Sequence, residues 1–201
     1  MPAADVSHRP LPILHAKADN VAAFGTLLGS AKQEDGADSG FYAGHLRMSQ
    51  PVDFSGQGKM ELQLATLARR PGEVRYLERH FHHTQTFIPL AGKPFVMVLA
   101  PPSAGDMPDL AEARAFYFDG TQGFALHIGT WHEFPFALDR QTDIVVALSA
   151  QATADLTTRD PVTREAFGPD LDKKDMVART NIVLTVDLDL VETKIIQGSP
   201  A

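Results

Sequence analysis

Residues Leu77–Gly92, LERHFHHTQTFIPLAG, put three of the chain's eight histidines, His80, His82 and His83, within four residues. Glu78 precedes them and Gln85 follows. In an extended chain alternate residues share a face, so Glu78, His80 and His82 point one way and Arg79, Phe81 and His83 the other. Glu78 and His80 then converge on one point inside a barrel. The plain alternative is a solvated His-rich strand. By the same facing rule His82 and His83 form a polar rim rather than a ligand pair. Arg79 makes a surface or subunit contact or, in the functional reading, meets a substrate carboxylate.

Working outward, KMELQLATLAR (59–69) alternates, with Met60, Leu62 and Leu64 on one buried face opposite Glu61, Gln63 and Ala65. VRYLERHFHH, TQTFIPL, PFVMVLAPP and TDIVVALSA each read as a strand, and residues 113–139 read as three short strands split at Asp119-Gly120 and Ile128-Gly129-Thr130. Short strands at close, turn-punctuated spacing predict an all-β antiparallel barrel or jelly roll. Residues 1–14 form an arm, and Asn20 N-caps a short helix running towards Gly25 and Gly29. A C-terminal extension, 151–201, carries a short helix over Val162–Phe167 and then a strand in TNIVLTVDLDLVE (180–192). That strand is too apolar to hang free and joins a barrel sheet or a partner subunit. The whole chain is expected to be one domain.

Composition narrows the function. Apolar residues make up 44% of 201, enough for a packed core. Eighteen basic against twenty-five acidic residues give a net charge of −7 with no basic stripe, which argues against nucleic acid. There is no cysteine, so disulfides, thiolate metal sites and cysteine nucleophiles are excluded. The N-terminus lacks a signal-peptide pattern, and FVMVLA is far short of a membrane span, so a cytoplasmic protein without membrane contact is expected.

Two loose motifs of the cupin fold are present in order. The first has the form G-x5-H-x-H-x(3,4)-E-x6-G. Gly72, Glu78, His80, Gln85 and Gly92 match its spacing, with Glu in the first His position and Gln in the Glu position. The second, built on x-G-x2-H, matches HIGTWH through Gly129 and His132, with His127 in place of a proline and Phe136 in place of an asparagine. This resemblance implies a cupin-type barrel with Glu78, His80, Gln85 and His132 as convergent metal ligands. Two imidazoles and a carboxylate suit a divalent transition metal such as Ni, Mn, Zn or Fe, and the neutral Gln85 amide is either a weaker ligand or a substrate contact.

Linked motifs also resemble the ureidoglycolate lyase family: Glu78-Arg79-His80, Thr84-Gln85-Thr86-Phe87-Ile88-Pro89, Pro108-Asp109, Arg114-Ala115-Phe116, Gly120-Thr121-Gln122-Gly123 and Trp131-His132, over roughly residues 15–150. The resemblance implies cleavage of (S)-ureidoglycolate to glyoxylate and urea by a homodimer associated with divalent metal. Glu78, His80 and His132 would form the centre, Gln85 would orient substrate, and His127 would be a nearby acid or base. Phe134 either lines the barrel or contacts substrate. The alternatives are a metal-dependent cupin lyase, hydrolase or isomerase for another small hydroxy or oxo acid, and a non-catalytic small-acid binder. Departures from the family pattern, Glu133 after Trp131-His132 and the histidine-rich HFHH, fall beside the presumed site.

Overall fold

The computed structural model describes residues 6–29, 37–38, 40–43, 45–49 and 51–191. The fold is mainly β and cupin-type, with two large sheets facing each other. One sheet runs Ala166–Gly168, Leu171–Asp175, Tyr76–Arg79, Trp131–His132, Phe95–Ala100, Arg114–Phe118, Ile13–His15, with Phe136–Ala137 also on Phe95–Ala100. The other runs Gly25–Leu27, Phe124–Leu126, Thr86–Pro89, Gln141–Ser149, Met60–Ala68.

Phe95–Ala100 explains its own unbroken apolar run. Phe95, Met97 and Leu99 face the opposite sheet and pack with Phe116, Phe124, Phe87, Ile144 and Val146. Val96, Val98 and Ala100 face outward into a second cluster with Trp131, Leu77, Leu184 and Met176. A strand buried on both faces needs no polar alternation. The second cluster exists because the C-terminal segment covers it: Ile182–Thr185 pairs in parallel with Ser7–Pro10 and antiparallel with Glu73–Val74. Gly72, the first motif glycine, lies under this cover, and a Cβ there would collide with the Val186 carbonyl.

Four expectations are corrected. The N-terminal arm is a strand at Ser7–Pro10, held by its partner near the other terminus. The helix expected after Asn20 is a pair of turns, and the Asn20 carboxamide accepts from the Lys17 N–H at 2.9 Å, closing the chain on itself rather than starting a helix. The tail helix is Ala150–Thr157, N-capped by Ser149, not Val162–Phe167. Over 162–167, Asp160 accepts from the N–H groups of Val162 and Thr163, and Arg164 takes φ 64°, so the chain turns and enters the strand Ala166–Gly168. Finally, Met60–Ala68 is a strand with the opposite face inward: Ala65 and Leu67 pack on the core, while Leu62 and Leu64 are 74% and 63% exposed.

Candidate functional site

The facing rule places the site. Leu77 packs in the outer cluster, so Glu78 turns to the interior. Across the ladder Glu78 pairs with His132 on one side and Lys173 on the other. Adjacent strands in register put these side chains side by side on one face. Gly129 makes the preceding turn with φ 85°, a left-handed conformation suited to glycine, and its N–H donates to the His80 carbonyl at 2.8 Å. That bond ties the two histidine-bearing segments together.

Glu78, His80 and His132 offer ligand atoms that all lie within 4.8 Å of one another, and all three residues are buried. His80 lies with its ring centroid 5.4 Å from that of His132 and 4.4 Å from that of His83. Each imidazole is anchored through Nδ1 on an oxygen that can only accept. His80 meets the Asp170 carbonyl at 3.0 Å, His83 the Asp170 carboxylate at 2.8 Å and His132 the Thr130 carbonyl at 3.2 Å. Nδ1 therefore carries a proton in all three rings, which leaves Nε2 as the atom available to bind a metal. All three Nε2 atoms are buried and lack a hydrogen-bond partner among the described residues. The His132 Nε2 lies 3.5 Å from Glu78 Oε1. A cation between these two atoms would satisfy both. For a tetrahedral ion with bonds of about 2.1 Å the ligand edge is roughly 3.4 Å. The donor set thus fits a divalent transition metal.

Burial pushes the Glu78 carboxyl up, but Lys173, 2.7 Å from Oε2, together with His132 and His80 holds it well below the usual carboxylate range. The same burial would lower the Lys173 ammonium, yet Glu78 and then Glu133 leave it raised. His80 is pushed down to about 4, by burial first and by His132 next. His83 is lowered, chiefly by burial, against the pull of Asp170. Glu133 is raised by burial despite its ion pair with Arg70 at 3.2 Å.

His80, His83 and Asp170 form a second close group. Its acceptors are already used. Asp170 Oδ1 takes the N–H of Phe81 and of His82, and Oδ2 takes His83 Nδ1 and the Ser149 hydroxyl. Asp170 is therefore a bracket for the histidine loop rather than a fourth metal ligand.

The expected residues divide accordingly. Glu78, His80 and His132 come together; Gln85 is buried with its Oε1 unpartnered among the described residues. Phe134 stacks edge-on against Phe87, which does the same against His132. His127 stays outside: its ring is exposed and its Nε2 lies 3.5 Å from Thr26 Oγ1. Arg79 lies on the outer face, over Trp131 and paired with Asp172 at 3.3 Å, away from the cluster. His82 is exposed as expected, but His83 is buried beside His80. The facing rule fails for His83 because the strand ends at Arg79 and the chain turns through His80–His83. Lys173 and Asp170 had no local signal. Lys173 enters through the register of a strand 95 positions further along the chain, and Asp170 from the turn just before that strand.

A mainly β fold of cupin type that carries a buried carboxylate–imidazole cluster defines a cupin-type protein. The family model described as Ureidoglycolate lyase matches residues 8–167, and the chain belongs to that family. A ureidoglycolate lyase of Pseudomonas syringae pv. tomato is 43% identical over 76 residues, 38% of this chain and 44% of that protein. Another, of Pseudomonas fluorescens, is 38% identical over 98 residues, 49% of this chain and 56% of that protein. The chain spans about half the length of these curated relatives. No helix among the described residues is long and apolar enough to cross a membrane.

Proposed function

We propose that the chain cleaves (S)-ureidoglycolate to glyoxylate and urea, as a carbon–nitrogen lyase. The observation that carries this reading is the trio of buried imidazoles, each donating through Nδ1 and each with an Nε2 that has no hydrogen-bond partner among the described residues, two of them grouped with Glu78, in a member of this family. Glu78, His80 and His132 would hold a divalent metal, with Ni, Mn, Zn and Fe as candidates. Such an ion would supply Lewis-acid stabilisation of charge on the substrate's oxygens. The elimination itself is proton traffic. The hydroxyl O–H loses its proton, the C–N bond breaks, and the departing urea nitrogen gains a proton. His83 takes the role expected of His127, because its Nε2 is buried at the cluster and its Nδ1 is held by Asp170. Gln85 orients substrate, and Phe87 with Phe134 keeps water from that side.

The same reading makes the protein a single-domain cytoplasmic homodimer. Supporting a dimer, Leu62 and Leu64 project outward, and Leu64 lies in register with Val145 and, beyond it, Ile88, as an exposed apolar strip. The direct test is metal analysis of the purified protein, followed by urea release from ureidoglycolate with each candidate metal restored. Urea and glyoxylate in equal amounts are expected. No urea from any metal form sinks the lyase reading and leaves the fold standing.

A further inference from the structure

The cation nearest the cluster lies outside the family match. That match ends at residue 167, and Lys173 belongs to Leu171–Asp175, the strand that follows. Lys173, Glu78 and His132 stand side by side on three neighbouring strands. The Lys173 ammonium carries three N–H donors. Among the described residues one acceptor takes one of them, Glu78 Oε2 at 2.7 Å, and the Tyr76 ring lies 5.9 Å away. The side chain keeps 26% of its surface exposed, so it lies between the buried cluster and the outside.

Other cations near the cluster are engaged elsewhere. Arg70 is bonded to Glu133 and to the Phe134 carbonyl. Arg79 sits on the opposite face with Asp172 and the Ser103 carbonyl. Lys174, next in sequence, also faces outward, 2.9 Å from Asp172. An anionic group that reaches the imidazoles thus meets Lys173, with two donors still to give. We propose that Lys173 contacts substrate directly: it binds the carboxylate of a small 2-hydroxy or 2-oxo acid whose neighbouring oxygen lies at the Glu78–His80–His132 cluster. The ligand class follows from one cation beside a metal-fitting donor set, and the identity of the acid rests on the lyase reading above.

The probes are glycolate, a 2-hydroxy acid with no urea to lose, and its uncharged amide, glycolamide. Calorimetry on the protein as purified, with metal content measured, reads both. Wild-type protein is expected to bind glycolate about tenfold or more tighter than glycolamide, the scale of one charge-assisted contact. Lys173→Gln should abolish that preference by weakening glycolate alone, and raise KM for ureidoglycolate about tenfold with a smaller change in kcat. Lys174→Gln, which also removes a buried ion pair, should leave both binding constants in place. Equal binding of the two probes by wild-type protein overturns the inference, whether or not Lys173→Gln folds. So does a Lys173→Gln protein that keeps the preference, or one that loses glycolate and glycolamide alike. Glycolate binding lost in Lys173→Gln together with no urea from wild-type protein would support Lys173 and overturn the lyase reading. Urea release with KM unchanged in Lys173→Gln would do the reverse.

Discussion

Replacing Asp170 by Asn changes one oxygen to an amino group at the bracket of the histidine loop. The carboxylate accepts four hydrogen bonds: the N–H of Phe81 at 3.0 Å and of His82 at 2.7 Å on one oxygen, and His83 Nδ1 at 2.8 Å with the Ser149 hydroxyl on the other. Asn keeps an oxygen for the two backbone donors but without the charge. Its amino group then faces His83 Nδ1–H donor to donor, while the Ser149 hydroxyl can rotate to accept. Hydrogen bonds to a charged group are worth about 1.5–3 kcal/mol each, and one is lost outright while the rest weaken, so the cost is roughly 3 kcal/mol. For a chain of this size that lowers Tm by about 6–12 °C. His83 has one escape: it shifts its proton to Nε2 and accepts at Nδ1. That removes the bare Nε2 on which the proposed role depends, so activity should fall further than stability explains. Thermal melts by circular dichroism read the first effect, and 15N spectra of histidine-labelled protein read the tautomer. A Tm within about 2 °C of wild type, or a His83 still protonated at Nδ1, would refute the assignment of Asp170 as the bracket.

Three further outcomes are expected. His80 is pushed from 6.5 to about 4, so between those values the unfolded chain binds the extra proton; stability of metal-stripped protein falls as pH drops through that window, by roughly 3 kcal/mol in all, and a urea midpoint flat from pH 7 to 4.5 would contradict the burial of a neutral His80. The Glu78 carboxyl, held low, adds acid lability only below 4.5. His127→Ala should keep kcat/KM within about twofold, as for an exposed side chain away from the cluster, and a fall of about tenfold or more would return His127 to the reacting atoms. Leu62→Glu with Leu64→Glu should convert a dimer to a monomer in sedimentation velocity at unchanged circular dichroism; a wild-type monomer, or a double variant that still dimerises, would remove that strip as the interface.

Strands were legible wherever one face alone was buried or where an apolar run ended in turn residues, as in TDIVVALSA and PFVMVLAPP. The direction of burial was less so. In KMELQLATLAR the leucines at 62 and 64 satisfy the strand period as well as Ala65 and Leu67 do, and period alone does not say which face meets the core. The tail failed for a different reason. REAF reads as helix by composition, but Asp160 captures the two N–H groups that would open one, and local side-chain capture outcompetes a weak propensity.

The site divides along the same physical line. Glu78, His80 and His132 share a face by alternation and register, and alternation is written in the sequence. His83 is three residues past His80 and would face away in a strand, but the turn after Arg79 reverses its direction. Lys173 is the stronger case. LDKKD offers two adjacent lysines with the same composition around each, and only the pairing of Lys173 with Glu78 and of Lys174 with Leu77 sends one inward and the other out. A slip of one residue would exchange them. Lys174 would then face Glu78, and Lys173 would meet Asp172's side of the sheet. The charge beside the cluster is therefore a property of register, held in part by the Asp170 bracket just before the strand that carries Lys173. For that reason Asp170→Asn and Lys173→Gln should couple: a loosened bracket frees the strand that presents Lys173, so the double variant should lose less glycolate affinity than the two single losses multiplied together. Strict multiplication would mean that bracket and cation act independently.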